Sequence, residues 1–168
     1  MQDSRPSPRL SPGGGHEECS FRLRRALVLG LPVMAGASLL ARPVWPAVSA
    51  PVVTSLAEYR AALDALAPHK TAALVDIGAK WCAFCRTIDT KILPDRQVMR
   101  LLEHVGLIKV DVTAMDDANR ELLRHLRADG PPTLFIVQTA TGQEYRNTRS
   151  VGSFRTGNLV ARLQPFAS

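Results

Sequence analysis

Two cysteines, Cys82 and Cys85, stand in a C-x-x-C pattern directly after a short apolar run, AALVDIGA at 72–79. A spacing of three on a helix puts both sulfurs on one face. Their separation suits a disulfide closed in a tight ring, so the pair can cycle between dithiol and disulfide. At a helix start, free N–H groups and the positive end of the helix dipole favour a thiolate at Cys82. Lys80 and Arg86 add positive charge beside it. A thiolate at neutral pH is the nucleophile of thiol–disulfide exchange. Cys82 would attack, and Cys85, set further into the helix and more shielded, would resolve the mixed disulfide.

The same spacing also opens zinc sites and structural disulfides. A structural zinc needs four ligands. Beyond residue 51 the remaining candidates are His69, His104 and His125, and none sits in a paired ligand motif. A purely structural bridge would close a loop too small to add much stability. The third cysteine, Cys19, lies far upstream among Pro, Gly and Ser. No G-x-G-x-x-G motif for a nicotinamide or flavin occurs. The expected cofactor is therefore none beyond the Cys82–Cys85 pair, and the expected metal is none.

The elements that must position these cysteines alternate. SLAEYRAALDALA at 55–67 has apolar residues at helical spacing, a Ser55–Glu58 capping pattern and Pro68 as its stop. The run at 72–79 reads as a buried strand carrying one acid, Asp76. Residues 83–92 read as a helix broken by Pro94, and 95–104 as another, capped by Asp95 with Val98, Leu101 and Leu102 inward. GLIKVDV at 106–112 reads as a strand and 116–127 as a helix, acids first and Arg last. Gly130-Pro131-Pro132 breaks the chain before a strand at 133–139. Thr141-Gly142 can turn into a second strand near 143–149, and 155–164 forms the last helix. The fold class is α/β: an N-terminal helix, then β-α-β-α-β-β-α, with a parallel β-α-β pair, a terminal antiparallel hairpin and helices flanking a mixed sheet.

The chain has 168 residues, 46% apolar and 21% charged, which suits one globular domain and excludes wholesale disorder, collagen and coiled coil. Residues 1–21, rich in Pro, Gly and Ser, read as a disordered leader. Residues 22–50 read as a signal peptide or membrane anchor: Arg22, Arg24 and Arg25 precede an uncharged stretch at 26–41, and small residues follow at 47–50. Residues 51–168 form the domain. The formal charge of +6 does not indicate nucleic acid. Residues 1–50 hold six Arg against three acids, and residues 51–168 hold 15 Lys/Arg against 12 Asp/Glu with the signs interspersed. A nucleic-acid groove needs clustered cations or stacking aromatics.

The segment from Val75 to Arg86, with Trp81-Cys82-Ala83-Phe84-Cys85, resembles the active-site segment of the thioredoxin family, and Gly130-Pro131-Pro132-Thr133 resembles its cis-proline loop. More narrowly, that segment, Lys109 to Thr113, and Asn119 to Leu126 before the Gly-Pro-Pro-Thr loop resemble the C-terminal thioredoxin-like domain of the DsbD membrane thiol:disulfide interchange family. The resemblance implies a thioredoxin fold over roughly 54–165. It implies that Asp76 is a buried carboxylate beneath the disulfide that relays protons, and that Asp89 is a second acid near the thiols. A negative charge there would raise the thiol pKa, against the helix dipole. It implies that Trp81 packs beside the disulfide, that Pro132 is the cis-proline facing Cys82, and that residue 131 pairs its backbone with a substrate peptide. Here residue 131 is proline and lacks an N–H, so peptide binding should be looser and a dedicated partner more important.

Two departures stand out. Ala83-Phe84 replaces the dipeptides of thioredoxin and of strong oxidants. Lys80 stands where the family usually has an acid, and a cation there favours the thiolate and a more oxidising pair. The expected function is an exported, periplasmic disulfide reductase acting on protein thiols and disulfides. It would act as a monomer, soluble or membrane-anchored, and be supplied by a membrane electron donor. The rivals are a thiol oxidase or isomerase on the same fold, a non-catalytic assembly module and a metallochaperone.

Overall fold

The computed structural model describes residues 50–167. The expected leader and all but the last residue of the signal or anchor segment lie outside the described residues.

The sheet is built around β2 (Ala72–Gly78), whose alternate side chains enter two separate cores. Ala73, Val75 and Ile77 face the core that contains α1 (Leu56–Leu66) and α4 (Asp117–His125). Ala72 and Leu74 face the core that contains α3 (Arg96–Leu102) and α5 (Thr156–Leu163). Burial on both faces explains why β2 reads as a continuous apolar run and not as an alternating one. β3 (Gly106–Asp111) pairs with β2 in parallel, from Ala73 opposite Gly106 to Gly78 opposite Asp111. β4 (Thr133–Gln138) pairs with its other edge antiparallel, from Ala72 opposite Gln138 to Ile77 opposite Thr133. The expected mixed sheet with flanking helices is therefore present, and its C-x-x-C segment follows the central strand.

The helix starts follow their caps. The Ser55 side chain accepts from Glu58 N at 3.3 Å, while Glu58 reaches back to Thr54 N at 2.7 Å, one residue earlier than a capping box requires. Asp95 accepts from Gln97 N at 2.8 Å and Asp116 from Asn119 N at 2.9 Å.

Three features depart from the sequence reading. A two-residue strand, β1 (Val52–Val53), precedes the first helix and pairs in parallel with β3 at Lys109 and Val110, giving the order β1-β3-β2-β4 and then β5 (Ser150–Val151). Two residues carry no periodicity, so only the distant pairing defines this strand. The helix expected at 83–92 is α-helical over Ala83–Thr87, here α2, and then widens into a π turn over Ile88–Ile92. Thr90 Oγ1 donates to Arg86 O at 2.6 Å and Thr87 Oγ1 to Ala83 O at 3.5 Å, so hydroxyls compete for the carbonyls of the helical ladder. Leu93 N–H then bonds to Ile88 O at 2.9 Å, five residues back.

The third departure is the hairpin. The return strand, expected near 143–149, is β5 (Ser150–Val151), opposite Leu134 and Thr133. The chain begins to pair earlier, with Gln138 N on Gln143 O at 2.8 Å and Tyr145 N on Ile136 O at 2.9 Å. It then bulges through Asn147, which has φ 62°. The Thr148 hydroxyl fills the gap by accepting from Ile136 N at 3.1 Å and donating to Tyr145 O at 2.8 Å. Thr148→Val keeps the shape but leaves the buried Ile136 N–H without an acceptor. It should lower stability by about 1–3 kcal/mol, read as a shifted urea midpoint with an unchanged slope.

Candidate active site

Cys82 and Cys85 are joined by a disulfide, with their Cα atoms 5.3 Å apart. Cys82 is the N-cap of α2 in an extended conformation, φ −84° and ψ 113°, and its Sγ accepts from Cys85 N at 3.2 Å. The sulfur therefore occupies the position of a capping oxygen and satisfies one of the free donors of the helix. The two cysteines are almost equally buried, at 7% and 5% exposure. The expected contrast in shielding is small.

Asp76, on the strand that leads to them, is 4% exposed. It shares the parity of Ala72 and Leu74, so the pleat directs it to the α3–α5 side of the sheet. Its register partner on β3 is Lys109, whose Nζ lies 3.6 Å from Asp76 Oδ2. The same ammonium bonds to Asp89 Oδ1, carried on the π turn after α2. One lysine thus bridges two carboxylates, one buried and one exposed. Burial raises the pKa of Asp76, Lys109 lowers it and Asp89 raises it, leaving it at about 6 against an ordinary 3.8.

A cleft of about 370 Å³ opens beside this group, lined among others by Asp76, Gly78, Cys85, Arg86, Asp89 and Lys109. Lys80 and Asp111 also line it. The buried carboxylate and Cys85 thus line one cleft.

The loop entering Cys82 is tied to the end of β3. Lys80 N donates to Thr113 Oγ1 at 2.9 Å, and Trp81 Nε1 donates to Thr113 O at 3.1 Å. Trp81 and Phe84 are exposed, at 56% and 55%. At the facing corner, the Pro131–Pro132 bond is cis. Thr133 pairs with Ile77, so Pro132 leaves the sheet at the same end as Gly78 and the C-x-x-C loop. Pro132 O accepts from Gly152 N at 3.0 Å, where Gly152 has φ 78°, a conformation that favours glycine.

All eight residues singled out in the sequence therefore lie at one end of the sheet. Cys82, Cys85, Asp76, Asp89 and Lys80 gather on α2 and the cleft, Trp81 beside them, and Pro131 and Pro132 on the neighbouring loop. Sequence reasoning gave no role to Lys109 or Thr113, although both lie in a stretch it had marked. Lys109 stands opposite Asp76 only in the register that the structure adopts, Ala73 on Gly106, which the strand bounds alone do not fix. No sequence signal marks the Thr113 hydrogen bonds. Among the described residues no group of three or more His, Cys, Asp or Glu could hold a metal ion.

The raised pKa of Asp76 has a consequence for stability. An acid harder to ionise when folded costs nothing below pH 4, costs more as pH rises to about 6, and costs a constant amount above that. Asp76→Asn should therefore stabilise the disulfide form at pH 7 by on the order of 2–3 kcal/mol. The gain should vanish below pH 4 in urea denaturation series run across pH.

A family model described as thioredoxin-like matches residues 54–139. Thiol:disulfide interchange protein DsbD 2 of Pseudomonas aeruginosa is 35% identical over 91 residues, covering 54% of this chain and 15% of that protein. DsbD of Pasteurella multocida is 35% identical over 96 residues, covering 57% of this chain and 16% of that protein. The chain thus spans about 15% of the length of these curated relatives. The C-terminal domain of Neisseria meningitidis DsbD, in its oxidised form, matches with a TM-score of 0.58 and 24% identity, over 68% of this chain and 98% of that domain. That likeness establishes the thioredoxin fold, and the match to the family model establishes kinship: the chain belongs to the thioredoxin-like family.

Proposed function

We propose that residues 51–168 are an exported thiol:disulfide reductase that uses Cys82 as its nucleophile. The observation that carries this reading is the Cys82 sulfur at the α2 N-cap, bonded to Cys85 N–H, with the buried Asp76 lining the same cleft as Cys85. The similarity to proteins named thiol:disulfide interchange proteins supports the same chemistry.

In the reduced form the Cys82 thiolate attacks one sulfur of a protein disulfide. The client S–S bond breaks, a mixed disulfide forms at Cys82, and the first client sulfur leaves and takes up a proton. Cys85 gives its proton to Asp76 across the cleft and attacks Cys82 Sγ. The second client sulfur leaves Cys82 and takes up the proton held by Asp76, and Cys82–Cys85 closes. Two electrons have passed to the client, with one proton from Cys85 by way of Asp76 and one from solvent. A dithiol donor in the membrane restores the reduced pair, after export directed by residues 22–50. Periplasmic placement and a monomeric form, soluble or anchored, belong to the same reading.

Pro131 sets the binding mode. Its missing N–H removes one hydrogen bond from any peptide strand laid along the loop, so clients must be held by the exposed Trp81 and Phe84 surface. A second reading, thiol oxidase or isomerase, rests on Lys80: a cation two residues before Cys82 favours the thiolate and shifts the pair toward accepting electrons.

Cys85→Ser should accumulate a client mixed disulfide at Cys82, visible on non-reducing gels, and Cys82→Ser should accumulate none while losing turnover of protein disulfides. Trapping at residue 85 instead would defeat the nucleophile assignment. Resolution of the mixed disulfide should speed up as pH rises through about 6, where Asp76 ionises. In Asp76→Asn that inflection should disappear and the step should slow by about 10²-fold, measured by quenched-flow trapping across pH.

A further inference from the structure

Thr113 is hydrogen-bonded on three sides. Its hydroxyl and its N–H both meet the Asp111 carboxylate, the N–H at 2.8 Å. An ionised carboxylate only accepts, so the hydroxyl proton points to Asp111. The oxygen lone pairs are then free for Lys80 N–H at 2.9 Å, and the carbonyl takes the indole Trp81 Nε1–H at 3.1 Å. Two consecutive residues before Cys82 are thus held by one residue of the β3–α4 loop.

The anchor itself is fixed. Asp111 pairs with Gly78 at the end of the parallel ladder, and Val112 N donates to Gly78 O at 3.0 Å. Asp111 O accepts from Nδ2 of the buried Asn119 at 3.4 Å, and that same amide reaches Thr54 O at 2.8 Å. The loop holding Trp81 is therefore referred to the rigid centre of the sheet. The Cys82 sulfur is held separately, by its own helix.

We propose that Thr113 is a positioning residue that fixes Trp81, and with it the docking face for protein clients, without setting the reactivity of the Cys82 sulfur. Trp81 exposes more than half its surface, and its indole N–H is held by the Thr113 carbonyl. A freely turning indole would have to be ordered each time a client docks, at an entropic cost. The inference rests on the reductase reading, because it concerns the docking of protein disulfides.

The test compares Thr113→Val and Thr113→Ser in the full chain. Valine keeps the branched shape and the carbonyl that takes the Trp81 indole, and removes the hydroxyl that ties Lys80 N–H to Asp111, so Trp81 loosens through its anchor; serine restores the hydroxyl. Three quantities are read: kcat/KM for a disulfide-bonded protein, the rate with uncharged hydroxyethyl disulfide, and hydrogen exchange of Lys80 N–H and the Trp81 indole N–H. With Thr113→Val, kcat/KM for the protein should fall about five- to tenfold, mostly through KM. The small-disulfide rate should hold and both exchange rates should rise. Thr113→Ser should recover all of these toward wild type. Unchanged exchange in Thr113→Val overturns the inference, and so does an equal fall with both substrates. A wild-type protein that cannot reduce protein disulfides strikes the reductase reading instead, and the exchange rates still decide whether Thr113 holds Trp81.

Discussion

A carboxylate at the centre of a sheet, out of contact with bulk water, is the constraint around which the active end of this molecule is arranged. Asp76 is nearly as buried as the leucines and valines beside it, and a lone charge there would be too costly to keep. The register of β2 on β3 supplies Lys109 alongside. The π turn carries Asp89 onto the same ammonium. The balance leaves Asp76 neither firmly charged nor firmly neutral, with its pKa at about 6, and that is what a proton acceptor working near neutrality requires. Its cost in stability is the ordinary trade of a working site against a fold.

The sulfur pair is under two opposing influences. The helix N–H on Cys82 Sγ and the cations Lys80 and Arg86 favour a thiolate. The charge on Asp76 disfavours one, and so holds the pair toward the disulfide and toward giving electrons away. Asp76 and Cys85 line one cleft, and in the proposed reaction the Cys85 proton leaves into it before Cys85 attacks. Proton transfer and client docking are thus assigned to different sides of the disulfide. On the proposed reading the cleft serves the first, and the Trp81–Phe84 surface with the Pro131–Pro132 loop serves the second.

Much of this was legible in the chain itself because the signals were local. Apolar periodicity, caps at Ser55, Asp95 and Asp116, and breakers at Pro68 and Gly130 each act within a few residues. They place the helices and the three main strands to within a residue or two at most ends. The C-x-x-C pair after a strand carries its chemistry in its spacing. What stayed hidden depends on contacts across the chain. β1 exists only because Val52 and Val53 meet Lys109 and Val110. β5 starts late because the Thr148 side chain takes over a backbone bond from Ile136. Lys109 acquires a role only when two strands are laid in register. Asp76 and Asp89 came from family likeness, and burial and the shared lysine then supply their physical setting.

Whether the opposing charges leave a donor or an acceptor of electrons is one quantity, the equilibrium reduction potential of the Cys82–Cys85 pair at pH 7. It can be titrated against glutathione with Trp81 fluorescence as the probe. A potential at or below about −230 mV, in the range of glutaredoxins and thioredoxin, is the result expected of a reductase in which the Asp76 charge prevails. A potential above about −180 mV would contradict it and identify an oxidant or isomerase in which Lys80 and the helix N-terminus prevail.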